Sequence, residues 1–355
     1  MSESILITGG CGFAGSNLAL FLKRDYPSAR IVAFDNLRRR GSELNIPRLL
    51  QAGIEFIHGD IRNKEDLTQV GEITLLIEAA AEPSVLSGID SSPDYVIDTN
   101  LSGTLNCLDY ASRHKARFIF LSTSRVYPIA DLCRIRYTDG ATRFSIAPAQ
   151  DIPGVSTSGI AENFPIDGAR SFYGASKFAS ELFIREYIEF YGMEAIINRC
   201  GVLTGPWQMG KVDQGVVVLW LARHYFKADL SYIGYGGTGH QVRDLLHIND
   251  LYRLLKMQME DFSRFSGQTF NVGGGLDVSV SLAELSTLCE QITGNTINIR
   301  KVAENRSADI PVYITDNSKI NSICDWAPEN SPQMILSDIF EWIKAHEQSV
   351  KKLLS

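Results

Sequence analysis

Short apolar runs alternate with segments of helical periodicity up to about residue 204 of this 355-residue chain. The runs that we expect to form strands lie at 4–8, 30–35, 55–58, 74–79, 118–122 and 195–199. The segments that we expect to form helices lie near 14–24, 64–70, 100–114 and 173–191. Parallel strands need crossover connections of this kind, usually through a helix. The alternation therefore predicts an α/β fold with a doubly wound parallel sheet covered by helices on both faces.

The pattern weakens after Thr204, where glycine-rich turns such as "IGYGGTGHQ" and "NVGGG" separate shorter elements. This change is typical of a smaller, mixed α/β lobe. A chain of this length is long enough for two domains. We predict a first domain at residues 1–198, rejoined by about 240–262, and a C-terminal substrate lobe at 199–355.

The composition is that of a soluble globular protein, with 45% apolar and 21% charged residues. The formal net charge of -7 argues against nucleic-acid or membrane partners, because neither polyanion would be attracted over long range. No window approaches the roughly 18 unbroken apolar residues of a membrane span, and "MSESILITGG" enters its first strand too soon for a signal peptide. We therefore expect a cytoplasmic protein.

The six cysteines show no CxxC pairs and no disulfide-like density, which predicts reduced thiols and no metal site.

The turn between the first strand and the first helix, "ILITGGCGFAGSNL", spaces Gly9, Gly12 and Gly15 as G-x-x-G-x-x-G. Glycine at these points lets the backbone approach a pyrophosphate, to which the helix N-terminus offers unpaired N–H groups. Asp35 ends the second strand 20 residues after Gly15, the offset at which an acid accepts hydrogen bonds from an adenosine ribose. Asp60 ends the third strand, where it is placed to reach the adenine. Together these features predict a dinucleotide site in a Rossmann-type sheet.

The acid at position 35 favours NAD over NADP, because a carboxylate repels a 2′-phosphate. Arg38, Arg39 and Arg40 follow it directly. Since one of these arginines could neutralise such a phosphate, NADP stays as the alternative.

Tyr173 and Lys177 in "RSFYGASKFASE" lie four residues apart, which places them on one face of the predicted helix. A phenol normally has a pKa near 10, and a neighbouring ammonium favours its ionised form and suits it to act as a base. Thr123, in "FIFLSTSRVY", lies at the carboxyl end of the preceding strand, where ligands of open α/β folds bind. We therefore predict Thr123, Tyr173 and Lys177 as catalytic residues, with the threonine hydroxyl holding the substrate oxygen.

These motifs, with "TNLSGT", "STSRVY", "RDLLHINDL", "FNVGGG" and "NRSADIPVYITDNSK", resemble the extended short-chain dehydrogenase/reductase family over nearly the whole chain. Members of that family include nucleotide-sugar epimerases and dehydratases. The resemblance implies an NAD site formed by Gly9, Gly12, Phe13, Ala14, Gly15, Asp35, Asn36, Asp60, Ile61, Ala79, Ala80, Ala81, Asn100, Ser122, Tyr173 and Lys177. It implies a nucleotide-diphosphate sugar substrate bound by Ser84, Ser124, Arg125, Arg143, Arg199, Asp213, Gln214, Arg243 and Arg306. Arg243 and Arg306 would grip the diphosphate, because a planar guanidinium makes bidentate contacts to phosphate oxygens.

Several positions depart from the family pattern. Sugar 4,6-dehydratases carry an Asp-Glu pair after the catalytic threonine, whereas this chain has Ser124 and Arg125, so we do not expect dehydration. Val202 replaces an asparagine of many relatives, and Phe172 replaces the usual proline before the tyrosine. Glu78 stands where relatives often have histidine. Neither Glu78 nor Phe172 removes a group that the expected mechanism requires.

Three features resemble the CDP-tyvelose epimerase branch of the family, also called the CDP-paratose 2-epimerases. These are the segment of about 45 residues between "RVY" and "YGASK" that contains "ATRFSI", the run "KVDQGVV", and "GHQVRDLLH". The resemblance implies that Asp213 and Gln214 lie near the nucleotide or sugar. Capping of the next helix by Asp213 is an equal alternative.

The expected activity is epimerisation of a nucleotide-diphosphate sugar, at C2 if the branch assignment holds. Tyr173 would take a hydroxyl proton while a hydride moves to NAD, and the hydride would return to the opposite face of the keto-sugar. The alternatives are a UDP-sugar 4-epimerase or another NAD-linked oxidoreductase, and a non-catalytic dinucleotide sensor or scaffold.

The predicted helix that carries Tyr173 has apolar residues on more of its surface than one sheet would cover. With the segment "NLSGTLNCLDYASRH" it could pair across a two-fold axis, and the family resemblance implies a homodimer with such a four-helix interface. A large monomer is the alternative.

Overall fold

The computed structural model describes residues 3–89, 91–210, 214–306 and 308–354. Its strands are β1 (Ser4–Thr8), β2 (Arg30–Asp35), β3 (Glu55–His58), β4 (Leu75–Glu78), β5 (Arg117–Thr123), β6 (Tyr137–Asp139), β7 (Phe144–Ile146), β8 (Val155–Ser156), β9 (Gly159–Ile160), β10 (Ala195–Cys200), β11 (Val202–Thr204), β12 (Leu230–Ile233), β13 (Val242–His247), β14 (Thr269–Val272), β15 (Ser279–Ser281), β16 (Ile299–Val302) and β17 (Val312–Tyr313). Its α-helices are α1 (Phe13–Asp25), α2 (Ile46–Gln51), α3 (Lys64–Thr68), α4 (Asp94–Ile97), α5 (Gly103–Arg113), α6 (Ile129–Cys133), α7 (Phe172–Tyr191), α8 (Val216–Tyr225), α9 (Ile248–Glu260), α10 (Phe262–Phe265), α11 (Leu282–Thr293), α12 (Ser318–Ile323), α13 (Pro332–Ala345) and α14 (Glu347–Leu354).

The main sheet has seven described strands in the order β14-β10-β5-β4-β1-β2-β3. The pairs of β1 with β2, β1 with β4, β2 with β3, and β4 with β5 are parallel. The strand order reverses at β1, which lies between β2 and β4, so the carboxyl ends of β1 and β4 form the switch point where ligands of such sheets bind. This architecture confirms the predicted doubly wound, Rossmann-type α/β fold.

The chain divides into two compact units. The first contains Met1–Val126, Ser171–Arg199 and Tyr252–Thr269, and the second contains Tyr127–Arg170, Cys200–Leu251 and Phe270–Ser355. The sequence-based boundaries placed residues 127–170 in the first domain, whereas the structure groups them with the second unit. The physical reason is that this segment forms no crossover helix and sheet strand. It forms α6 and the two small antiparallel pairs β6–β7 and β8–β9.

The core of the first unit is built by the strands of the sheet and two covering helices. Apolar side chains of β1, β2, β4 and β5 pack with Cys107, Leu108 and Ala111 of α5 and with Ile184 of α7. The strand residues are buried on both faces of the sheet, which explains why their sequences read as continuous apolar runs. This packing fixes the carboxyl edge of the sheet, on which the candidate site lies.

The second unit is a mixed α/β lobe. Strands β11, β13 and β15 form a sheet in which β17 also pairs with β13, and β12 pairs with β16. Helices α8, α11 and α13 pack against one another, and Trp220 of α8 donates a hydrogen bond from Nε1 to Ser286 Oγ of α11 at 2.8 Å. The glycine-rich turns that the sequence placed here include Gly234, Gly236 and Gly237, which all have positive φ.

Three strands, β1 to β3, have the bounds that the sequence predicted, and the remaining predicted elements of the first unit are shifted by one or two residues. The predicted helix 100–114 is not α-helical throughout, because a π-helical turn, Asp98–Ser102, precedes α5. Gly192 ends α7 in the left-handed conformation (φ 64°), as predicted for a C-cap glycine.

None of the helices formed by the described residues combines the length and hydropathy that crossing a membrane requires. Within the described ranges, no group of three or more His, Cys, Asp or Glu side chains is arranged to hold a metal ion. The six cysteines, which all lie among the described residues, form no disulfide bond; Cys133 is exposed and the other five are buried.

Candidate dinucleotide and catalytic site

The glycine turn after β1 is a close backbone crossing that no larger residue would allow. Gly9 has a φ of 65°, and a Cβ atom added there would lie 2.8 Å from the Cα atom of Ala80. A Cβ on Gly15 would overlap the carbonyl oxygen of Gly9. Gly12 is the N-cap of α1, which has neither a side-chain cap nor an acidic residue in its first turn. The free N–H groups and positive dipole end of α1 therefore suit a pyrophosphate, and the residues fit the predicted dinucleotide.

Asp35 is held in place at the end of β2. Its carboxylate accepts backbone hydrogen bonds from Leu37 at 2.7 Å and from Cys11 at 3.0 Å, and the side chain is buried. Burial raises the pKa of the Asp35 carboxyl, and the backbone N–H groups partly oppose this. The glycine turn and the predicted ribose ligand are thus joined directly, through Cys11.

A cavity of about 380 Å³ lies beside Asp35 and is lined by Asn36, Arg38, His58, Gly59, Asp60, Arg62 and Asp66. Asn36 donates a hydrogen bond to Asp60 at 3.0 Å. Burial acts to raise the pKa of Asp60, but hydrogen bonds from Arg62 and Asn36 outweigh it and lower this pKa to about 2. The cavity therefore has a fixed negative charge and amide and guanidinium donors around it, which suits an adenosine.

Arg38, one of the three arginines that kept NADP as an alternative, lies at this cavity. Its guanidinium carbon is 3.9 Å from the centroid of the Tyr95 ring, and that of Arg62 is 4.9 Å from the same centroid. Arg62 also forms an ion pair with Asp60 at 2.7 Å. Arg38 is thus stacked on an aromatic ring.

The predicted Tyr173–Lys177 pair occupies the first turns of α7. Ser171 caps this helix by accepting a hydrogen bond from the backbone N–H of Gly174 at 3.2 Å. Lys177 is 1% exposed, and its Nζ atom lies 3.7 Å from the centroid of the Phe120 ring on β5. Tyr173, one turn earlier, is partly exposed. Thr123 is the last residue of β5, and its hydroxyl accepts a hydrogen bond from the Arg125 N–H at 3.2 Å. The three predicted catalytic residues thus lie on two elements that pack together.

Asn100, which the resemblance placed at the cofactor, is fully buried in the π-helical turn and ties the loop after β4 to α7. Its Oδ1 accepts from the Glu82 N–H at 2.8 Å, and its Nδ2 donates to the Glu82 carbonyl at 3.0 Å and to Ser176 Oγ at 3.2 Å. Its carbonyl accepts from Ser180 Oγ at 2.8 Å. Its side chain therefore orients the helix that carries Tyr173.

Arg199 and Ser122 have partners that the sequence interpretation missed. Arg199 binds Glu181 of α7 through Nε and Nη2, at 3.0 and 2.7 Å, and both side chains are buried. Ser122 Oγ donates to the same carboxylate at 2.6 Å. The structure thus places Arg199 in an internal ion pair, where two of its guanidinium nitrogens bind protein rather than a substrate. The signal for Glu181 was its position four residues after Lys177, on the same helix face.

Glu78, noted above only as a departure from the family pattern, is also buried in this region. It is the last residue of β4 and is 0% exposed. Thr104 of α5 donates a hydrogen bond to its Oε1 at 2.6 Å. Burial raises the pKa of the Glu78 carboxyl to about 7, although the Lys177 ammonium and the Thr104 hydroxyl act to lower it.

The remaining cofactor candidates line the same edge. Ala79 follows β4 and donates its N–H to the Thr8 carbonyl at 3.2 Å. The carbonyl of Ile61 accepts from Asn106 at 2.8 Å. Phe13, Ala14, Ala80 and Ala81 are partly exposed at the ends of these elements, as is the predicted substrate residue Ser124. The structure therefore brings together the predicted cofactor residues of the first unit.

The sequence model of the NAD dependent epimerase/dehydratase family matches residues 5–273. The chain is 32% identical to the CDP-paratose 2-epimerase of Salmonella typhi over 352 residues, which cover 95% of this chain and 98% of the relative.

The chain belongs to the NAD-dependent epimerase/dehydratase family.

A dTDP-glucose 4,6-dehydratase of Salmonella typhimurium is 25% identical over 99% of this chain and 95% of its own. The fold matches that of UDP-glucuronic acid 4-epimerase from Bacillus cereus, with a TM-score of 0.79 at 22% identity over 97% of this chain and 99% of that one. Membership of this family gives the cofactor as NAD, in agreement with the acid at the end of β2. The glycine turn after β1 and the uncapped N-terminus of α1 are the features of this chain that fit NAD.

In the second unit, Arg243 and Arg306 lie near one aspartate. Arg243 Nη2 contacts Asp309 Oδ1 at 3.1 Å and donates to the Ile310 carbonyl at 2.6 Å. The Asp309 N–H donates to the Arg306 carbonyl at 3.3 Å. Asp309 thus contacts the guanidinium of Arg243 and the backbone of Arg306.

The other substrate candidates of the second unit have distinct surroundings. Arg143 binds Ser279 Oγ at 2.5 Å and Glu284 at 3.3 Å. Gln214 Oε1 is buried without a hydrogen-bond partner among the described residues. Asp213 lies outside the described residues, and the N-cap of α8 is Gly215, without a side-chain hydrogen bond. In the first unit, Ser84 accepts the Leu86 N–H at 3.3 Å.

Proposed function

We propose that this protein is an NAD-dependent epimerase of a nucleotide-diphosphate sugar that inverts C2, as in CDP-paratose to CDP-tyvelose conversion. The observation that carries the proposal is the Tyr173–Lys177 pair, with its ammonium buried against β5, the strand that ends in Thr123. The sugar and the base are suggested by the 32% identity to a CDP-paratose 2-epimerase over nearly the full length of both chains.

The first unit supplies the cofactor site. Gly9, Gly12 and Gly15 would hold the pyrophosphate, Asp35 the ribose and Asp60 the adenosine end. NAD held by these residues would supply the acceptor and donor for the hydride of the sugar. Because the hydride returns within the same cycle, no net reduction of cofactor is expected.

The chain's own residues move and hold the proton. The Tyr173 phenol takes the proton from the reacting hydroxyl, and the adjacent Lys177 ammonium favours the phenolate that this step needs. The Thr123 hydroxyl hydrogen-bonds the oxygen that changes between alcohol and ketone. Once the keto-sugar has rotated and hydride has returned to the opposite face of its carbonyl carbon, the same phenol gives the proton back to the carbonyl oxygen.

The two positions after Thr123 lack the acid and base that loss of water requires. Ser124 and Arg125 follow Thr123, in place of the acid pair of sugar 4,6-dehydratases. Neither side chain is suited to the combined acid and base work of removing a hydroxyl group. This favours an epimerase over a dehydratase within the family.

Substrate binding is assigned to the nucleotide-diphosphate end. Arg243 and Arg306 would bind the diphosphate, and the buried Gln214 Oε1 would accept a hydrogen bond from the nucleotide or sugar. Tight binding at the non-reacting end leaves the sugar ring free to turn.

We further propose a homodimer through α5 and α7, because Phe190 and Tyr191 of α7 are 74% and 70% exposed.

The test is incubation of the protein with CDP-, UDP-, GDP- and dTDP-sugars in ordinary and deuterated water, followed by NMR of the sugar. Inversion at C2 of a CDP-sugar without solvent deuterium is the expected result. Inversion at C4 of a UDP-sugar would show a 4-epimerase, and accumulated NADH would show a net dehydrogenase.

The matched control is Tyr173→Phe, which should retain NAD and lose turnover. Solvent deuterium on the inverted carbon would contradict the mechanism, because it indicates proton abstraction next to a carbonyl. If no sugar reacts and Tyr173→Phe behaves as the wild type while NAD binds, the sensor or scaffold alternative is favoured.

A further inference from the structure

Glu78 is a buried carboxyl group that the proposed mechanism does not use. It ends β4 at the switch point of the sheet, where it is paired in register with Thr8 of β1 and Phe120 of β5. Side chains of register partners in a parallel sheet point to the same face. Phe120 is the ring against which the Lys177 ammonium lies, at 3.7 Å from the ring centroid. Glu78 therefore shares a covered face with the catalytic lysine.

The hydrogen-bond geometry at Glu78 accommodates both of its protonation states. The Thr104 hydroxyl has one proton but two acceptors, Glu78 Oε1 at 2.6 Å and the Asn100 carbonyl at 2.7 Å. When Glu78 is ionised, the charged oxygen is the stronger acceptor and takes this proton. When Glu78 is neutral, its own O–H donates to the Thr104 hydroxyl oxygen. Thr104 then donates its proton to the Asn100 carbonyl. No heavy atom has to move.

The surroundings of Glu78 have opposing effects on the ionisation of its carboxyl group. Its Oε2 atom is buried without a hydrogen-bond partner among the described residues, and an unpaired buried charge is costly, which favours the neutral acid. The Lys177 ammonium from α7 favours the carboxylate. Cys107 from α5 is fully buried and neutral, because burial and Glu78 raise its pKa. The balance places the Glu78 carboxyl, with its pKa of about 7, near the point where both forms are populated at neutral pH.

We propose that Glu78 is a positioning residue that controls the Tyr173 phenol through Lys177. The inference rests on the proposed function of this pair. An ionised Glu78 compensates the ammonium and weakens its effect on the phenol; a neutral Glu78 leaves the full positive charge to act on the phenol. Removing the carboxylate charge should therefore make Tyr173 ionise at lower pH.

The first test measures the phenol directly and needs no turnover. Ultraviolet difference titration of the NAD-bound protein, with the Tyr173→Phe variant as reference, gives the pH at which the Tyr173 phenolate appears. In Glu78→Gln, which keeps an acceptor for Thr104, this pH should fall by about one unit. The control is Glu65→Gln, an equal charge change at an exposed position of α3, which should leave the titration unchanged.

The second test measures Glu78 itself. The infrared band of a buried neutral carboxyl, absent in Glu78→Gln, should disappear from the wild-type spectrum as the pH rises through about 7. In Thr104→Val the same band should persist to higher pH, because a hydrogen bond that favours the carboxylate is lost. Thr104→Val keeps Glu78, so it can test the protonation of this carboxyl group if Glu78→Gln does not fold.

The third test is the pH profile of turnover for a sugar that the wild type converts. Its acid limb should shift downward in Glu78→Gln by the same amount as the phenol titration. Coincident phenol titrations of wild type and Glu78→Gln, or a Glu78 band that does not change between pH 5 and 9, would overturn the inference. Failure of every sugar to react would refute the proposed function alone, since the phenol and infrared titrations still report on Glu78.

Discussion

The buried pair of Glu181 and Arg199 provides a sharp test of the interior of the first unit. The two side chains are 0% and 4% exposed and are joined by contacts of 3.0 and 2.7 Å. Glu181→Met leaves a guanidinium in the interior without its counter-ion. Breaking a buried pair in this way costs about 3–5 kcal/mol, because a desolvated charge loses its compensation.

The hydrogen bonds give a similar magnitude. The two contacts from Arg199 involve charged groups, each worth about 1.5–3 kcal/mol, so their loss amounts to roughly 3–6 kcal/mol. The double variant Glu181→Met, Arg199→Met removes both charges and replaces them with apolar side chains. It should lie within about 1–2 kcal/mol of the wild type, with the loss of the Ser122 hydrogen bond as the main remaining cost.

Urea unfolding of the wild type, both single variants and the double variant measures this cycle. Far-UV circular dichroism reports both units, whereas the tryptophans, Trp207, Trp220, Trp326 and Trp342, all lie in the second unit. With a slope near ~3 kcal/mol per molar, Glu181→Met should lower the dichroism midpoint by about 1 M. A midpoint change no larger than that of Glu65→Gln, or a double variant as unstable as the sum of the single variants, would refute this reasoning.

Four further outcomes are expected. Tyr173→Phe should lower turnover by at least about 100-fold, measured by NMR of the sugar, with NAD retained. Gly15→Ala should weaken NAD binding in calorimetry by at least about tenfold, because its Cβ overlaps the glycine turn; the control Gly192→Ala, with open space around its Cβ, should cost only about 1 kcal/mol of stability and leave NAD binding unchanged. Phe190→Glu should convert the proposed dimer to a monomer in light scattering, and a wild-type monomer would contradict the dimer. The pKa of Glu78 is raised on folding from 4.5 to about 7, so the folded state binds more protons in that window and the wild type should lose stability from pH 4.5 to 7; Glu78→Gln should lack this part of the decline, and parallel stability curves for the two proteins would count against it.

Much of the sheet was predictable because its strands are short, apolar on both faces and bounded by turn residues. The glycine spacing also located the dinucleotide turn, since the close approach of Gly9 to Ala80 excludes any side chain. The four-residue spacing of Tyr173 and Lys177 placed them on one helix face, and the glycine turn and Thr123 supplied the context in which that spacing predicts catalysis. These are local signals that the chain carries within a few residues.

Partnerships between distant segments were not predictable in this way. Arg199 looked like a free substrate ligand at the end of a strand, because nothing local shows that Glu181 of α7 lies beside it. The π-helical turn at Asn100 was equally hidden, since its side chain is satisfied by Glu82 and Ser176 from other elements. The segment 127–170 has no strong periodicity, so its place in the second unit depends on its own hairpins.

Helix α7 shows how these partnerships bear on the chemistry. Tyr173, Lys177 and Glu181 follow one another at intervals of one turn, so helical periodicity places the three residues along one face of α7. Had Glu181 no partner, its charge would compensate Lys177 and weaken the effect of the ammonium on the phenol. Arg199 cancels that charge, since it binds Glu181 through two nitrogens. Of the two buried carboxyl groups near Lys177, only Glu78 is then left to respond to the ammonium, which explains why a change of one proton at the end of β4 should be felt at Tyr173.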